Sequence, residues 1–433
     1  MNKNENYSYN RVPPECRLPL FGIMLVHAGM LTALDQFMLG AILGHSMSIQ
    51  DAFIAITIAS LVFGAVTFAL GYAGMKEGLT GALLARWSGF GRIGSVLISV
   101  VIAISLLGWF GVQNAVFAKG IDHALNGVLG FELSATLSGL CLTFLVAFGI
   151  KALKIAASIA VPIFITVITL ISIQILSNLD MTSIFHSTPQ GEPLTIANAI
   201  TIIIGGCIVA ALMTPDITRY AKKTSHVLSM TLFTILAGEF VINGLAIMLA
   251  RALNTADVVT IMAQTTAGIG LLAVIFSTLR VNDLNLYSSS LSIANAIEIL
   301  SGRRISYTTI TIIIGIIGTT LSVLGILDRF VDFLTLLGII FPPIVGVMIV
   351  GYFCIKQNTI ALDLLRNTNT LPGDDTTPLI GWSAILSCVL GSLVGSIDGW
   401  GIPAVNSLLV AGLSYWGINK FNLMSFRDKE LNN

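Results

Sequence analysis

The amino-acid sequence predicts an all-α polytopic membrane protein with twelve transmembrane helices. Three observations carry this prediction: the composition, the lengths of the apolar segments and the distribution of positive charge. The 433 residues are 55% hydrophobic and 10% charged, with a mean hydropathy of +0.90, whereas soluble domains contain about 25% charged residues. The alternating segments of about 10 residues that typify a membrane β-barrel have no counterpart in this chain.

Twelve apolar segments have about the length of a membrane span, which is about 20 residues for a helix. They lie at residues 20–43, 52–73, 93–117, 133–150, 155–176, 196–217, 228–250, 268–297, 307–327, 331–354, 379–397 and 400–418. An even number of spans places both termini on the same side of the membrane. We therefore expect residues 1–19 and 421–433 to be tails on one side of a single transmembrane domain at 20–420.

Positive charge is distributed unequally between the two sides that twelve spans define. Of the 22 Lys and Arg residues, 18 lie on the side of the termini, Arg280 lies within a span, and only Lys119, Arg251 and Arg329 lie on the other side. Loops rich in Lys and Arg remain in the cytoplasm. The chain is thus predicted to be a multi-pass protein of the cell inner (plasma) membrane with both tails in the cytoplasm, and the polar N-terminus does not resemble a cleaved signal peptide.

Several functional classes find no support in the sequence. The five cysteines are scattered without metal-ligand spacing, and neither an HExxH motif nor a nucleophile–base constellation indicates an intramembrane enzyme. Residues 89–94 (GFGRIG) match GxGxxG but follow no strand, so they do not indicate a dinucleotide site. The net charge of zero gives no indication of a nucleic-acid partner. We expect no cofactor and no obligate protein partner; the lipid bilayer is the expected surrounding.

Spans one and six contain residues that can interrupt a helix. The first carries Gly29 followed by Asp35 and Gln36, and the sixth carries Gly205-Gly206 and Pro215. Discontinuous helices at corresponding positions indicate a transporter built from two inverted five-helix repeats, with its substrate site at the midplane. The alternative is that these glycines only allow close helix packing.

The eighth span contains the densest polar stretch of any apolar segment, at residues 276–287 (FSTLRVNDLNLY). It includes Arg280, Asn282, Asp283 and Asn285. An Arg at the centre of a membrane helix costs at least about 2.5 kcal/mol on insertion scales. Residues of this kind within a span are normally functional, which points to a transport pathway here.

Seven motifs, spread in order over nearly the whole chain, resemble those of nucleobase cation symporter family 1, in particular its purine and cytosine permease branch. They are VPPECR at 12–17, GLTGALLARWSGFG at 78–91, GWFGVQNAVFAKG at 108–120, TPDITRYAKK at 214–223, NDLNLYSSSLSIAN at 282–295, DFLTLLGIIFPPIVG at 332–346 and GIPAVNSLLVAGLSY at 401–415. The resemblance implies two inverted five-helix repeats plus two C-terminal helices. It also implies alternating-access uptake of a small heteroaromatic substrate, driven by sodium or protons.

The resemblance further implies that the substrate stacks on Trp109, with Gln113 on the same helix face. It places Gly206 and Cys207 at the same site. Asp35, Gln36 and Asn282 are further expected substrate-binding residues because they are polar within their spans, although Asn282 could instead stabilise a local helix break. Cytosine permeases have a polar Gln where this chain has Leu106, and a second aromatic platform with small hydroxyls around Gly206, Cys207 and Val209. These departures favour a larger purine or a substituted pyrimidine over cytosine.

Arg280 and Val281 stand where sodium-coupled relatives have two hydroxyl residues that bind the ion. We therefore expect Arg280 to replace the cation and to pair with Asp35; alternatively, Arg280 faces a water-filled cavity. Coupling would then use protons rather than sodium, with Asp35, Glu239 and Asp283 as carriers. Glu239 could instead be a structural acid, and His27 a proton relay or, by the simpler interpretation, a packing residue.

Alternative functions remain open at this point. One is a sodium-coupled permease for another ring compound, such as a hydantoin, allantoin or a thiamine precursor. A channel or receptor is another alternative, although a channel would repeat its polar lining in several spans, whereas polar residues here concentrate in spans one, three and eight.

Overall fold

The computed structural model describes the chain at Tyr7 and at residues 10–148, 165–177, 181–264, 269–373 and 377–431. The first half contains the helices α1 (Leu20–Leu31), α2 (Leu34–Ser46), α3 (Ile49–Glu77), α4 (Gly81–Ala85), α5 (Gly91–Ala124), α6 (Phe131–Phe148), α7 (Ile165–Leu176) and α8 (Met181–His186). The second half contains α9 (Ile196–Thr218), α10 (Thr224–Thr234), α11 (Asn243–Leu253), α12 (Val258–Ala263), α13 (Ile269–Ser301), α14 (Tyr307–Val323), α15 (Phe330–Phe353), α16 (Lys356–Arg366), α17 (Trp382–Gly395) and α18 (Pro403–Leu431). The segments Arg86–Phe90 and Ile235–Ile242 are π-helical.

Long apolar helices dominate the described part of the chain, as a membrane protein requires, because each helix satisfies its own backbone hydrogen bonds. Six have the length and composition of a membrane span: α3, α4–α5, α6, α9, α10–α11 and α15; the pair α1–α2 is a seventh candidate, and α7, α14 and α17 are shorter apolar helices. Each predicted segment contains a helix, although residues 155–164 lie outside the described residues. The multi-pass helical class is confirmed, and the count of twelve crossings stays a prediction.

The predicted interruption of span one is confirmed. The axes of α1 and α2 are bent by 48° at a break between Leu31 and Leu34. Thr32 leaves the helical region, and its hydroxyl donates to the carbonyl oxygen of Ala28 at 3.0 Å, which closes the last turn of α1. Asp35 and Gln36 therefore lie in the first turn of α2, where free backbone N–H groups create partial positive charge.

The predicted interruption of span six is wrong. Helix α9 runs unbroken through Gly205-Gly206 and Pro215. A Cβ on Gly205 would lie 1.9 Å from the carbonyl oxygen of Leu334 on α15. The glycine serves close packing between two helices, which was the alternative interpretation. Helix α15 is likewise continuous through Pro342 and Pro343.

Close packing also fixes α2 against α11. A Cβ on Gly40 would lie 2.7 Å from the Cα of Asn243, and one on Gly44 would lie 2.6 Å from the carbonyl oxygen of Ile247. Small residues four apart allow this approach of two helix backbones. A Cβ on Gly238 would similarly lie 2.6 Å from the Cβ of Leu31, so the π-helical segment abuts the break in span one.

A buried ionic cluster, here called the Glu77 cluster, joins the N-terminal segment to the ends of three helices. The Glu77 carboxylate accepts hydrogen bonds from Arg11 at 2.7 Å, from the Tyr352 hydroxyl at 2.6 Å and from Arg366 at 2.6 Å. Arg11 also donates to the carbonyl oxygens of Leu362 and Thr370, both at 3.0 Å. The cluster holds α16 and the following loop against the end of α3.

Candidate substrate site

Trp109 on α5 is buried against the start of α15. The indole is 7% exposed, and its ring centroid lies 5.8 Å from that of Phe330 and 5.4 Å from that of Phe333, with ring planes crossing at 74° and 78°. Gly108 makes room for this arrangement, because a Cβ there would lie 2.6 Å from the Phe333 ring. Two edge-type contacts from the start of α15 fix the orientation of the indole.

Gln113 lies four residues after Trp109 and therefore on the same face of α5. Its side chain is fully buried, and neither Oε1 nor Nε2 has a hydrogen-bond partner among the described residues. A buried amide without partners costs free energy that a bound ligand or water can recover. An aromatic ring with an unpaired amide beside it suits a flat heterocycle that both donates and accepts hydrogen bonds.

Glu239 is the centre of a second polar group, which lies between α2, α9 and α11. Its carboxyl group is fully buried in the π-helical segment and accepts a hydrogen bond from the Asn243 amide at 3.0 Å. The side chains of Gln36 and Cys207 adjoin the same carboxyl group. The fold thus brings together Gln36, Cys207 and Glu239, three of the residues singled out from the sequence.

Asn243 is a member of this group that the sequence interpretation missed. It is fully buried, and its Oδ1 has no partner among the described residues. The available signal was its position four residues after Glu239, which puts both side chains on one helix face. Its position against α2 depends on the close contact with Gly40, which lies on that helix.

Gly206 borders an aliphatic wall. A Cβ at this position would lie 3.4 Å from the Leu39 side chain and 4.0 Å from the Leu334 side chain. The neighbouring Cys207 thiol is buried and donates to the carbonyl oxygen of Ile204 at 3.5 Å. This side of the site therefore offers little hydrogen bonding other than through Glu239.

The acidic residues predicted near the cation position lie on neighbouring helices. Asp35 on α2 and Asp283 on α13 each have a buried Oδ1 without a hydrogen-bond partner among the described side chains, and the two helices are in contact. The side chain of Arg280 lies outside the described part of the structure, so its pairing with Asp35 stays a prediction.

Asn282 is engaged with a helix backbone. In the amide orientation that satisfies both groups, its nitrogen donates to the Phe110 carbonyl oxygen at 3.2 Å and its oxygen accepts from the Asn114 backbone N–H at 3.3 Å. Asn114 in turn donates to the hydroxyl of Ser322 at 3.1 Å and accepts from that of Ser138 at 2.8 Å. These contacts give Asn282 a structural role between α13 and α5, and its contact with substrate stays a prediction.

His27 is hydrogen-bonded through both ring nitrogens. Its Nδ1 lies 2.9 Å from the Thr234 hydroxyl and its Nε2 lies 3.0 Å from the Thr214 hydroxyl. Because Thr214 donates to the Ala210 carbonyl oxygen at 2.9 Å, it accepts from Nε2, and Thr234 donates to Nδ1. A neutral imidazole satisfies this arrangement, which joins α1 to α9 and α10 and fits the packing role.

Two cavities approach Trp109 and Gln113 from opposite ends of α5. One of about 220 Å³ is bordered by Met38, Val116 and Phe330, and the other of about 240 Å³ by Leu106 and Asp216. Leu106 precedes Trp109 on α5 and Val116 follows Gln113, so the site lies between the two cavities.

Asp216 and Arg219 lie at the end of α9, where both contact backbone groups. Asp216 accepts from the Gly81 backbone N–H at 3.4 Å, whereas Arg219 donates to the backbone carbonyl oxygens of Asp216 at 3.1 Å and Tyr7 at 2.7 Å. Asp216 lies at the border of the second cavity. Its position suits a gate, whereas Arg219 ties the N-terminal segment to the end of α9.

The geometry defines a multi-pass helical membrane protein with a buried aromatic and amide site between two cavities. Residues 20–416 match the family of permeases for cytosine/purines, uracil, thiamine and allantoin, and the chain belongs to this family. It is 32% identical over 429 residues to the cytosine permease of Escherichia coli (strain K12), covering 97% of this chain and 95% of that protein.

Solved structures of the transporter Mhp1 have the same fold. The inward-facing conformation of Mhp1 gives a TM-score of 0.76 at 16% identity, covering 96% of this chain and 94% of the other. A second structure shows Mhp1, a nucleobase-cation-symport-1 family transporter, in a closed conformation with bromovinylhydantoin bound. It gives a TM-score of 0.73 at 18% identity, covering 96% of this chain and 95% of the other. The family match and the cytosine permease relative confirm the resemblance inferred from the seven motifs, and the Mhp1 structures confirm the fold.

Proposed function

We propose that this protein is a secondary active transporter that imports a nucleobase or a related small heterocycle by alternating access. The observation that carries the proposal is the buried, unpaired amide of Gln113 on the same helix face as Trp109, between two cavities. Membership of a permease family and the cytosine permease relative support transport rather than an enzymatic activity. A relative's substrate, cytosine, belongs to the class of ring that this geometry accepts.

The proposed architecture is twelve spans, of which the first ten form two inverted repeats of five. An inverted repeat relates span one to span six and span two to span seven. The packing supports this relation: α3, the second span, packs on α9, and reciprocally the seventh span, α10–α11, packs on α1 and α2. In this arrangement both tails lie in the cytoplasm and the single domain at 20–420 lies in the inner membrane.

For coupling, we propose protons rather than sodium, with Arg280 in place of the cation. Asp35, Asp283 and Glu239 are the proposed proton carriers, and each has one carboxylate oxygen that is buried without a partner among the described residues. Protonation removes the cost of burying such a charge. A carboxyl group that gains a proton on one side of the membrane and loses it on the other couples transport to the gradient.

For the substrate, we propose a ring larger than cytosine. The support is the Gly206 position, which has no side chain of its own and where the atoms nearest to an added Cβ, among the described residues, belong to Leu39 and Leu334. In this proposal Gln36, Cys207 and Glu239 contact the ring from one side and Gln113 contacts it from the other. The proposed occupant is a purine or a substituted pyrimidine.

Uptake into proteoliposomes tests this proposal. Purified protein is given a panel of radiolabelled bases, beginning with cytosine, adenine, hypoxanthine and uracil, with an inward proton gradient and without sodium. We expect saturable accumulation of at least one base above its equilibrium level, and its loss when a protonophore collapses the gradient. Failure to take up any of these bases would contradict the proposed transport function. Equilibration of a base across the membrane without accumulation would indicate a channel.

A double variant tests the role of Arg280. Arg280→Ser combined with Val281→Thr introduces the two hydroxyls that the resemblance implies for sodium-coupled relatives. We expect proton-driven accumulation to fall and sodium stimulation to appear. Unchanged sodium-independent accumulation, or sodium dependence of the unmodified protein that saturates at a single site, would refute the replacement of the cation by Arg280.

A further inference from the structure

A third cavity, of about 290 Å³, lies apart from the substrate site, at the end of α11. Its walls come from three separate segments: His45 at the end of α2, Thr188 and Gln190 in the loop after α8, and Arg251 with Asn254 at the end of α11. Thr188 and Gln190 are exposed. The cavity therefore has a rim in contact with the surroundings and a floor formed by the Arg251 side chain.

Arg251 is buried and has no carboxylate partner among the residues that the structure describes. It is 8% exposed, and its Nη2 donates to the Ser187 carbonyl oxygen at 2.5 Å. Its Nε and Nη1 are buried and have no hydrogen-bond partner, and no carboxylate of the described residues lies within ion-pair distance. Burying a guanidinium without a countercharge has a desolvation cost that an anion would offset.

The walls of this cavity are held in place by backbone contacts. The carbonyl oxygen of His45 accepts hydrogen bonds from the backbone N–H groups of Gln190 at 3.1 Å and Gly191 at 2.9 Å. A Cβ on Gly191 would lie 2.7 Å from the His45 ring, so the loop follows the end of α2 closely. The Gln190 amide donates to the Thr188 hydroxyl at 3.1 Å, which fixes both side chains at the rim.

We propose that this cavity binds a small inorganic anion, of the size of chloride, through the unpaired donors of Arg251. Bound there, the anion holds the loop at 187–191 against α2, the second half of the broken span, and against α11. The anion thereby stabilises the contact between these two helices near one mouth of the transport pathway. The site shares no residue with the proposed substrate site, so the two proposals stand or fall separately.

Anion binding to the purified full-length protein tests the proposal without any substrate. Binding of radiolabelled chloride is measured by equilibrium dialysis, and thermal unfolding is followed in sodium chloride against sodium gluconate at equal ionic strength. We expect one saturable site per chain and a rise in Tm that saturates over the same chloride range. Arg251→Gln is expected to weaken chloride binding about 10- to 150-fold, since hydrogen bonds to charged groups contribute about 1.5–3 kcal/mol.

Two further variants keep the test decisive if Arg251→Gln fails to fold. Thr188→Val alters only the exposed rim and is expected to weaken binding severalfold. Arg329→Gln removes an exposed arginine and is the matched control, with unchanged binding expected. The proposal would be overturned if the Tm were equal in chloride and gluconate. It would also be overturned if the wild type and the Thr188→Val and Arg251→Gln variants bound chloride equally. Either result would mean that the cavity holds water only.

Discussion

The Glu77 cluster allows a stability prediction to be worked from distances and burial. Replacing Glu77 by Gln removes a carboxylate that is fully buried and lies 2.7 Å from Arg11 and 2.6 Å from Arg366. The Arg11 side chain is only 2% exposed, so its charge would remain buried without a counterion. Breaking a buried ion pair by removing one partner costs about 3–5 kcal/mol.

The lower end of this range applies to Glu77→Gln. Arg11 retains three carbonyl acceptors, those of Glu77, Leu362 and Thr370, which share the charge that remains. The Arg366 side chain is 30% exposed, so water screens its charge after the ion pair with Glu77 is lost. The loss of this second ion pair therefore adds little to the destabilisation. We therefore expect a destabilisation of about 3 kcal/mol, which corresponds to about a 100-fold change in an equilibrium constant.

Thermal inactivation in detergent measures the effect, because membrane proteins of this size unfold irreversibly and their stability is observed as a rate. The half-life of monodisperse protein at a fixed temperature is expected to fall by up to about 100-fold in Glu77→Gln. Glu132→Gln changes an exposed glutamate on α6 and serves as the control. Half-lives of the two variants within about threefold of each other would refute the counterion role of Glu77.

Two further predictions concern helix packing and coupling. Gly205→Ala places a Cβ 1.9 Å from the Leu334 carbonyl oxygen. We expect it to lower stability by about 1–3 kcal/mol in the same inactivation assay. Gly417→Ala is the control and should be neutral, because no atom lies within 4 Å of a Cβ at that position. Stability of Gly205→Ala equal to that of Gly417→Ala would contradict the packing role. Glu239→Gln keeps an acceptor for Asn243 but cannot exchange a proton, so we expect substrate binding without proton-driven accumulation; accumulation at the wild-type level would exclude Glu239 as a carrier.

Local patterns were sufficient to predict the class of protein, its family and the break in span one. Composition and apolar length determine whether a chain enters the membrane, and seven ordered motifs identified the family. The pair Asp35-Gln36 was a reliable sign of the break because polar groups within a span need free backbone or ligand partners. Gly205-Gly206 led to a wrong prediction because glycine can interrupt a helix but also allows a second helix to pack closely against the first.

Contacts between distant parts of the chain could not be predicted. The partners of Glu77 are 66, 275 and 289 residues away, and nothing near Glu77 in the sequence indicates them. The same applies to Arg251, whose unpaired donors are apparent only once the loop at 187–191 is placed beside α11. A sequence pattern predicts on which face of a helix a side chain lies. The contacts of that side chain depend on how the helices are assembled.

Substrate binding by Trp109 variants tests the central claim most directly. The measurement is the Kd of the accumulated base for purified protein carrying Trp109→Ala, Trp109→Phe or Trp416→Ala, the last being an exposed tryptophan on α18. Stacking of a base on an aromatic side chain contributes about 1–3 kcal/mol, so Trp109→Ala is expected to weaken binding about 5- to 150-fold. Trp109→Phe should retain most of the affinity and Trp416→Ala all of it. Normal affinity in Trp109→Ala would contradict a substrate site at this position.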